Sequence, residues 1–239
     1  MINNKGFTLI ELSIVIVIIG LIVAGVVGGQ ALVRQAQFRG SIKELTSYEL
    51  ALNAFRLEYD SIPGDMVNAT AYWGGATVDG DGNDIIAYST EGYRAWQHLS
   101  LAKILPGSYL GVQQGADTLG SALPKASIPS AGYGFFNLNL AAVMLWTGSG
   151  SNQSYNLIRV GPLIVDGANT RIGRGHLRPN EAKLIDEKLD DGYPGLGKLI
   201  MQYNWSTNCV TSDDMLTSEY DFSNSVDDCA PQYVWQRRK

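Results

Sequence analysis

The chain opens on an apolar run that has no counterpart elsewhere in it. From Leu12 to Val33 there are 22 consecutive positions without a charged side chain, including Ile14 to Ile19 and Leu21 to Val23. As a helix rising about 1.5 Å per residue, the run reaches about 33 Å, enough to cross a hydrocarbon core about 30 Å thick. Beyond Arg34 the pattern becomes striped. Leu45, Tyr48, Leu52, Phe55 and Tyr59 recur at spacings of three and four, with Lys43, Glu44, Glu49, Arg56 and Glu58 largely off that line. The same helix therefore continues with one face packed on a domain, and Pro63-Gly64 ends it. From about Phe7 to Tyr59 it measures about 80 Å, half of it in lipid and half against a head.

The remainder reads as short elements between turns. Residues 61–88 are a connection rich in Gly, Asp and Asn. Thr90 to Ala102 has the pattern of a capped amphipathic helix that stops before Pro106-Gly107. After Gly132 come four short apolar runs, Tyr133–Leu140, Val143–Trp146, Leu157–Val165 and Leu199–Trp205, which suit antiparallel strands. A second head helix is expected from Pro179 to Leu189, with Pro at its first position and Asn180, Glu181 and Ala182 leading it. Asp190-Asp191-Gly192-Tyr193-Pro194 stops that helix; Asp190 and Asp191 are read as a solvated helix end in preference to a cation site. The fold class is α+β: a long N-terminal helix on an antiparallel sheet with extra short helices.

Composition sharpens this division. The 239 residues suffice for one domain with an appendage, and charged residues make up only 17%. Residues 1–33 carry only Lys5 and Glu11. A short basic flank stays on the cytoplasmic side, so the rest of the chain is expected across the membrane. The other reading of the run is a cleaved secretory signal, whose apolar region is usually about 7–15 residues long and ends in a small-x-small site. No Ala-x-Ala comes after it here. A net charge of −5 lacks the basic field that phosphate-backbone binding needs, so nucleic acid is not an expected partner. Glu11 is the anomaly of the apolar run. A carboxylate at the head of a membrane helix costs several kcal/mol unless something neutralises it.

Lys5-Gly6-Phe7-Thr8-Leu9-Ile10-Glu11 resembles the prepilin signature of type IV pilins and type II secretion pseudopilins. The resemblance implies a leader of residues 1–6, removed by prepilin peptidase between Gly6 and Phe7, and N-methylation of the new terminus at Phe7. It places the family's assembly glutamate at Glu11, to pair with the terminal amine of a neighbouring subunit, which meets the electrostatic demand above. Gly20 also matches a common family glycine. Many members have a helix-kinking proline where this chain has Gly28-Gly29, a pair that costs about 2 kcal/mol of helix propensity relative to alanine. The implied organisation is leader 1–6, membrane and filament-core helix 7–33, amphipathic continuation 34–60, and a periplasmic head 61–239.

Three features of the head carry candidate chemistry. Asp79, Asp81 and Asn83 have the D-x-D-x-N spacing that wraps calcium, but Asp84 and Glu91 depart from the EF-hand pattern. Two readings stand, a calcium loop and, slightly favoured, an exposed double Asp-Gly turn. His98 and His176 lack any carboxylate or serine constellation, so no catalytic role is expected of either. Cys209 and Cys229 lie with mostly polar, turn-rich sequence between them, which suggests a bridge, with a free buried pair as the alternative. Type IV pilins carry a similar exposed C-terminal disulfide loop; here the resemblance implies a loop 209–229 oxidised in the periplasm. Asp213, Asp214, Glu219, Asp221, Asp227 and Asp228 make this loop acidic, which is read as serving solubility. The N-x-S/T triplets at Asn68, Asn152 and Asn204 are read as chance.

These readings converge on a non-enzymatic filament subunit of the bacterial inner membrane, single-pass with a cytoplasmic N-terminus, later extracted into a pilus or pseudopilus. The chain is bulkier than a typical major pilin, which favours a minor subunit. The implied partners are prepilin peptidase, other pilin or pseudopilin subunits and the inner-membrane assembly platform. The rival class is a single-pass periplasmic enzyme or binding protein whose helix is merely an anchor.

Overall fold

The computed structural model describes residues 6–115, 118–139, 154–166, 169–173, 175–201, 208–212, 214 and 216–237. The expected strand 143–146, the distal part of the run 199–205, Lys5 and the rest of the leader before Gly6, Asn152, Asn204 and Asp213 lie outside these residues.

Helix α1 spans Leu9–Tyr59, 51 residues, and passes Gly28 and Gly29 without interruption. Its two halves obey different rules. Every residue from Leu9 to Gly28 is exposed, whereas Phe38, Ser41, Leu45, Tyr48, Ala51, Leu52 and Phe55 are buried against the head. Burying a Leu or Phe side chain is worth about 1.5–3 kcal/mol, so the striped half holds the domain. Tyr48 sits edge-on between Trp96 and Tyr133, with both ring centroids 4.9 Å away. The helix ends at Asp60, which adopts the left-handed conformation. The turn continues through Gly64 at φ 89°, where a Cβ would strike the Glu91 carbonyl.

The connection contains a short helix, α2 (Ala69–Trp73), and a single 3-10 turn, Gly74–Ala76. Helix α3 (Glu91–Leu101) buries Tyr93, Trp96 and Leu99, and Trp96 stacks 4.6 Å from Phe135 on the sheet. Helix α4 spans Pro179–Leu189, as expected, with Pro at its start.

The sheet comprises β1 (Ala131–Asn139), β2 (Ser154–Asp166), β3 (Asn169–Ile172), β4 (Leu199–Met201) and β5 (Pro231–Arg237). Its order is β1-β2-β5-β4, with β3 pairing β2, and every pairing is antiparallel. Tyr133, Phe135, Ile158 and Tyr233 fill the core between this sheet, α1 and α3.

Candidate functional site

The N-terminus is built as an exposed, capped helix start. Thr8 is the N-cap: its Oγ1 accepts from the Glu11 N–H at 3.3 Å. In return Glu11 Oε2 accepts from both the N–H and the hydroxyl of Thr8, each at 2.8 Å. This reciprocal arrangement satisfies two of the orphan donors of a helix end. It brings no positive charge, and no ion pair among the described residues includes Glu11. Gly6 and Phe7 precede the helix, so their peptide bond is exposed, with Phe7 88% accessible.

Where the apolar run ends, the head grips the helix. Arg34, the first charged residue beyond that run, makes a two-pronged bond to Glu181 of α4, Nε to Oε1 and Nη2 to Oε2, both at 3.0 Å. Glu181 Oε2 also accepts from the Arg178 N–H at 3.1 Å, so one carboxylate caps α4 and anchors α1. Burial pushes Glu181 up, but Arg34 and the Arg178 amide hold it below the usual carboxylate range. Further along, Glu44 accepts from the hydroxyls of Ser127 and Tyr133 at 2.7 and 2.6 Å. Glu49 accepts from Lys198 and the Tyr233 hydroxyl at 2.7 and 2.6 Å. By sequence spacing both fall off the packed stripe; in the structure they border it, and the head supplies their partners.

In the Asp79–Asn83 loop the three candidate oxygen ligands accept hydrogen bonds from within the protein. Asp79 accepts from the Thr70 N–H at 2.7 Å and the Thr70 hydroxyl at 3.0 Å. Asp81 Oδ2 accepts from Asn83 Nδ2 at 2.8 Å, and Asn83 Oδ1 accepts from the Ile85 N–H at 2.7 Å. The organiser is Asp65, which the sequence did not single out. Its carboxylate accepts from the backbone N–H groups of Gly82, Asn83 and Asp84 at 2.7, 3.2 and 2.7 Å. Burial and a hydrogen bond with Asp81 push Asp65 up to about 6, against the pull of those amides. The carboxylates that converge are Asp65, Asp81 and Glu91, with one oxygen of each within 4.8 Å of the others. Glu91 is itself engaged, accepting from the Ala87 N–H at 2.8 Å.

Of the two histidines, His98 is hydrogen-bonded in the core, whereas neither ring nitrogen of His176 has a hydrogen-bond partner. His98 is fully buried; its Nδ1 accepts from the Gly64 N–H at 3.0 Å and its Nε2 lies 2.9 Å from the Thr77 hydroxyl. Burial, with Arg94 nearby, lowers it to about 4. His176 lies between Arg34, Glu181 and Asp227, and burial lowers it likewise to about 4.

Cys209 and Cys229 are bonded, with their Cα atoms 5.0 Å apart. The loop they close docks on α4: the Tyr220 hydroxyl donates to Asp186 at 2.7 Å and Asp227 pairs with Arg178 at 3.3 Å. Its acidic residues also close local turns, Asp214 accepting from the Leu216 N–H and the Thr217 hydroxyl and Asp221 from Ser223.

An exposed, capped, apolar helix start thus follows the Gly6-Phe7 peptide bond, with Glu11 the fifth residue after it. Residues 1–27 match the prokaryotic N-terminal methylation motif, the prepilin-type signature of type IV pilins and pseudopilins. No curated protein and no solved structure matches the chain. The chain thus joins a prepilin-type N-terminus to an α+β, pilin-like architecture.

Proposed function

We propose that this chain is a non-enzymatic structural subunit, a minor one, of a type IV pilus-like filament. Prepilin peptidase cuts between Gly6 and Phe7 and methylates Phe7; the helix holds the chain in the bacterial inner membrane with its head in the periplasm. An assembly platform then moves it into a filament with other pilin subunits. A single observation carries this reading: the first half of α1 is apolar and wholly uncovered by its own head. Lipid, and later the helices of neighbouring subunits, supply the missing contacts. The second half supports it, because Thr46, Ser47, Leu50, Ala54 and Leu57 are exposed and uncharged on its outward side, beyond exposed Lys43. Repeated packing of one heterologous surface extends without closing. The Cys209–Cys229 loop, of the kind type IV pilins carry, favours a pilus over a type II secretion pseudopilus.

Glu11 would accept the N-terminal amine of the adjacent subunit in place of the Thr8 hydrogen bonds. Glu11→Val is expected to leave membrane insertion and cleavage intact while reducing incorporation into sheared surface filaments at least tenfold. Undiminished incorporation of Glu11→Val, or of a chain whose residues 7–33 are exchanged for an unrelated membrane span, would contradict the proposal.

A further inference from the structure

The disulfide loop and the end of α4 border an open cleft that filament assembly does not use. Its volume is about 280 Å³, short of the roughly 300–1,000 Å³ of sites that enclose whole small molecules, so it suits a single side chain. Lys183 and Glu187 of α4 line one part of it, Asp191 and Tyr193 the turn beyond that helix, and Glu219 and Phe222 the disulfide loop. None of its lining residues belongs to α1 or to the sheet.

Two independent properties of the lining select the occupant. The first is aromatic. Tyr193 and Phe222 are 55% and 59% exposed, whereas Tyr93, Trp96, Tyr133 and Phe135 are buried in the core. The Phe222 ring already attracts a cation of its own chain: Lys183 Nζ lies 5.5 Å from the ring centre, inside the range of about 6 Å over which an ammonium is drawn to an aromatic face. The second is charge. Glu187, Asp191 and Glu219 outnumber Lys183, so the lining is net negative. Lys183 pairs with Glu187 at 3.8 Å, and no ion pair among the described residues includes Asp191 or Glu219. Other acids of the loop are engaged, Asp214 and Asp221 in turns, Asp227 with Arg178 and Asp228 with Asn208. Glu219 donates its N–H to Thr211, but its carboxylate accepts no hydrogen bond among the described residues.

We propose that this cleft is the docking site for an arginine side chain presented by a partner protein. A guanidinium group answers both properties at once: it is flat and stacks on aromatic faces, it carries a permanent charge, and its fork of N–H donors matches carboxylates. An ammonium answers the charge alone, and an anionic occupant would meet repulsion. Asp213, Asp214, Glu219, Asp221, Asp227 and Asp228, with no cation among residues 209–229, widen the negative field around the cleft and draw a basic segment toward it. Lys183 is the competitor in this arrangement, because the arriving guanidinium takes the Phe222 face that Lys183 holds in the free protein.

The test titrates the full processed chain in detergent with three capped tripeptides, Gly-Arg-Gly, Gly-Lys-Gly and Gly-citrulline-Gly, and follows the peptides by NMR. The arginine peptide is expected to bind about tenfold more tightly than its neutral citrulline counterpart and about threefold more tightly than the lysine peptide, with its side-chain methylene signals moved upfield by the rings. Tyr193→Ala with Phe222→Ala, both exposed positions, should abolish that upfield movement, and Asp191→Asn with Glu219→Gln should weaken binding by about fivefold. Lys183→Gln should strengthen binding by about threefold, a gain that damage to the fold does not produce. No binding of the arginine peptide up to about 10 mM, equal binding of the lysine or citrulline peptide, unchanged binding after the paired carboxylate substitutions, or weaker binding in Lys183→Gln would each overturn the proposal.

Discussion

His98 shows how a buried side chain makes stability depend on pH. The fold holds it neutral, with its value lowered from 6.5 to about 4, whereas the unfolded chain takes a proton as pH falls below about 6.5. The unfolded state therefore binds more protons throughout that window, and stability falls with pH. His98→Gln is expected to remove this share of the loss, on the order of 2 kcal/mol at pH 5 and nothing at pH 8. Denaturant unfolding of the two proteins at both pH values measures it, and parallel pH profiles would contradict it. Glu181 makes a second prediction at this scale. Replacing it with Ala removes a helix cap and leaves the half-buried Arg34 unpaired, a loss of about 2 kcal/mol. Arg178→Ala, which breaks only the exposed pair with Asp227, should cost less than about 1 kcal/mol in the same measurement. The sequence showed the packed stripe of α1 but not that Glu44 and Glu49 beside it would find hydroxyl and ammonium partners, because those partners come from residues 127, 133, 198 and 233. Asp65 was hidden for a related reason: its donors are backbone amides, and no residue type announces them.

Elements with strong local punctuation are legible in the sequence, and those defined by distant pairing are not. Pro179 and the Asp-Asp-Gly stop fix α4 at both ends, and the apolar periodicity fixes α1. Strand β5 is not among the runs that the pattern picks out. It begins with a proline and ends among cations, yet it lies between β2 and β4 in the sheet, where Tyr233 and Val234 are buried. Proline is tolerated at a strand's first residue, so Pro231 neither supports nor excludes a strand over residues 232–237. Strand β3, four residues long, exists only as the partner of β2. The disulfide loop is the element whose contribution can be isolated. Closing residues 209–229 constrains the unfolded chain, and opening it by reduction or by Cys209→Ser with Cys229→Ser should cost roughly 3 kcal/mol in the chain-entropy model. Calorimetry with and without reductant checks this; an unchanged unfolding free energy would show that the α4 contacts alone hold the loop.

At the scale of the whole molecule, one helix carries two incompatible surfaces. Between Phe38 and Phe55 it is the core of a folded head, and from Leu9 to Val33 it is apolar surface that this head does not cover. Arg34 and its bond to Glu181 mark where one regime gives way to the other. Such a surface is costly to expose to water, and that is the ground on which processing and assembly are proposed together. The most direct test of that claim is intact and N-terminal peptide mass spectrometry on the protein from its native membrane, with and without reduction. A terminus at N-methyl-Phe7, with a mass that rises by two hydrogens on reduction of Cys209–Cys229, is the predicted result. An unprocessed Met1, or a cut among the glycines and alanines that end the apolar run, would contradict it.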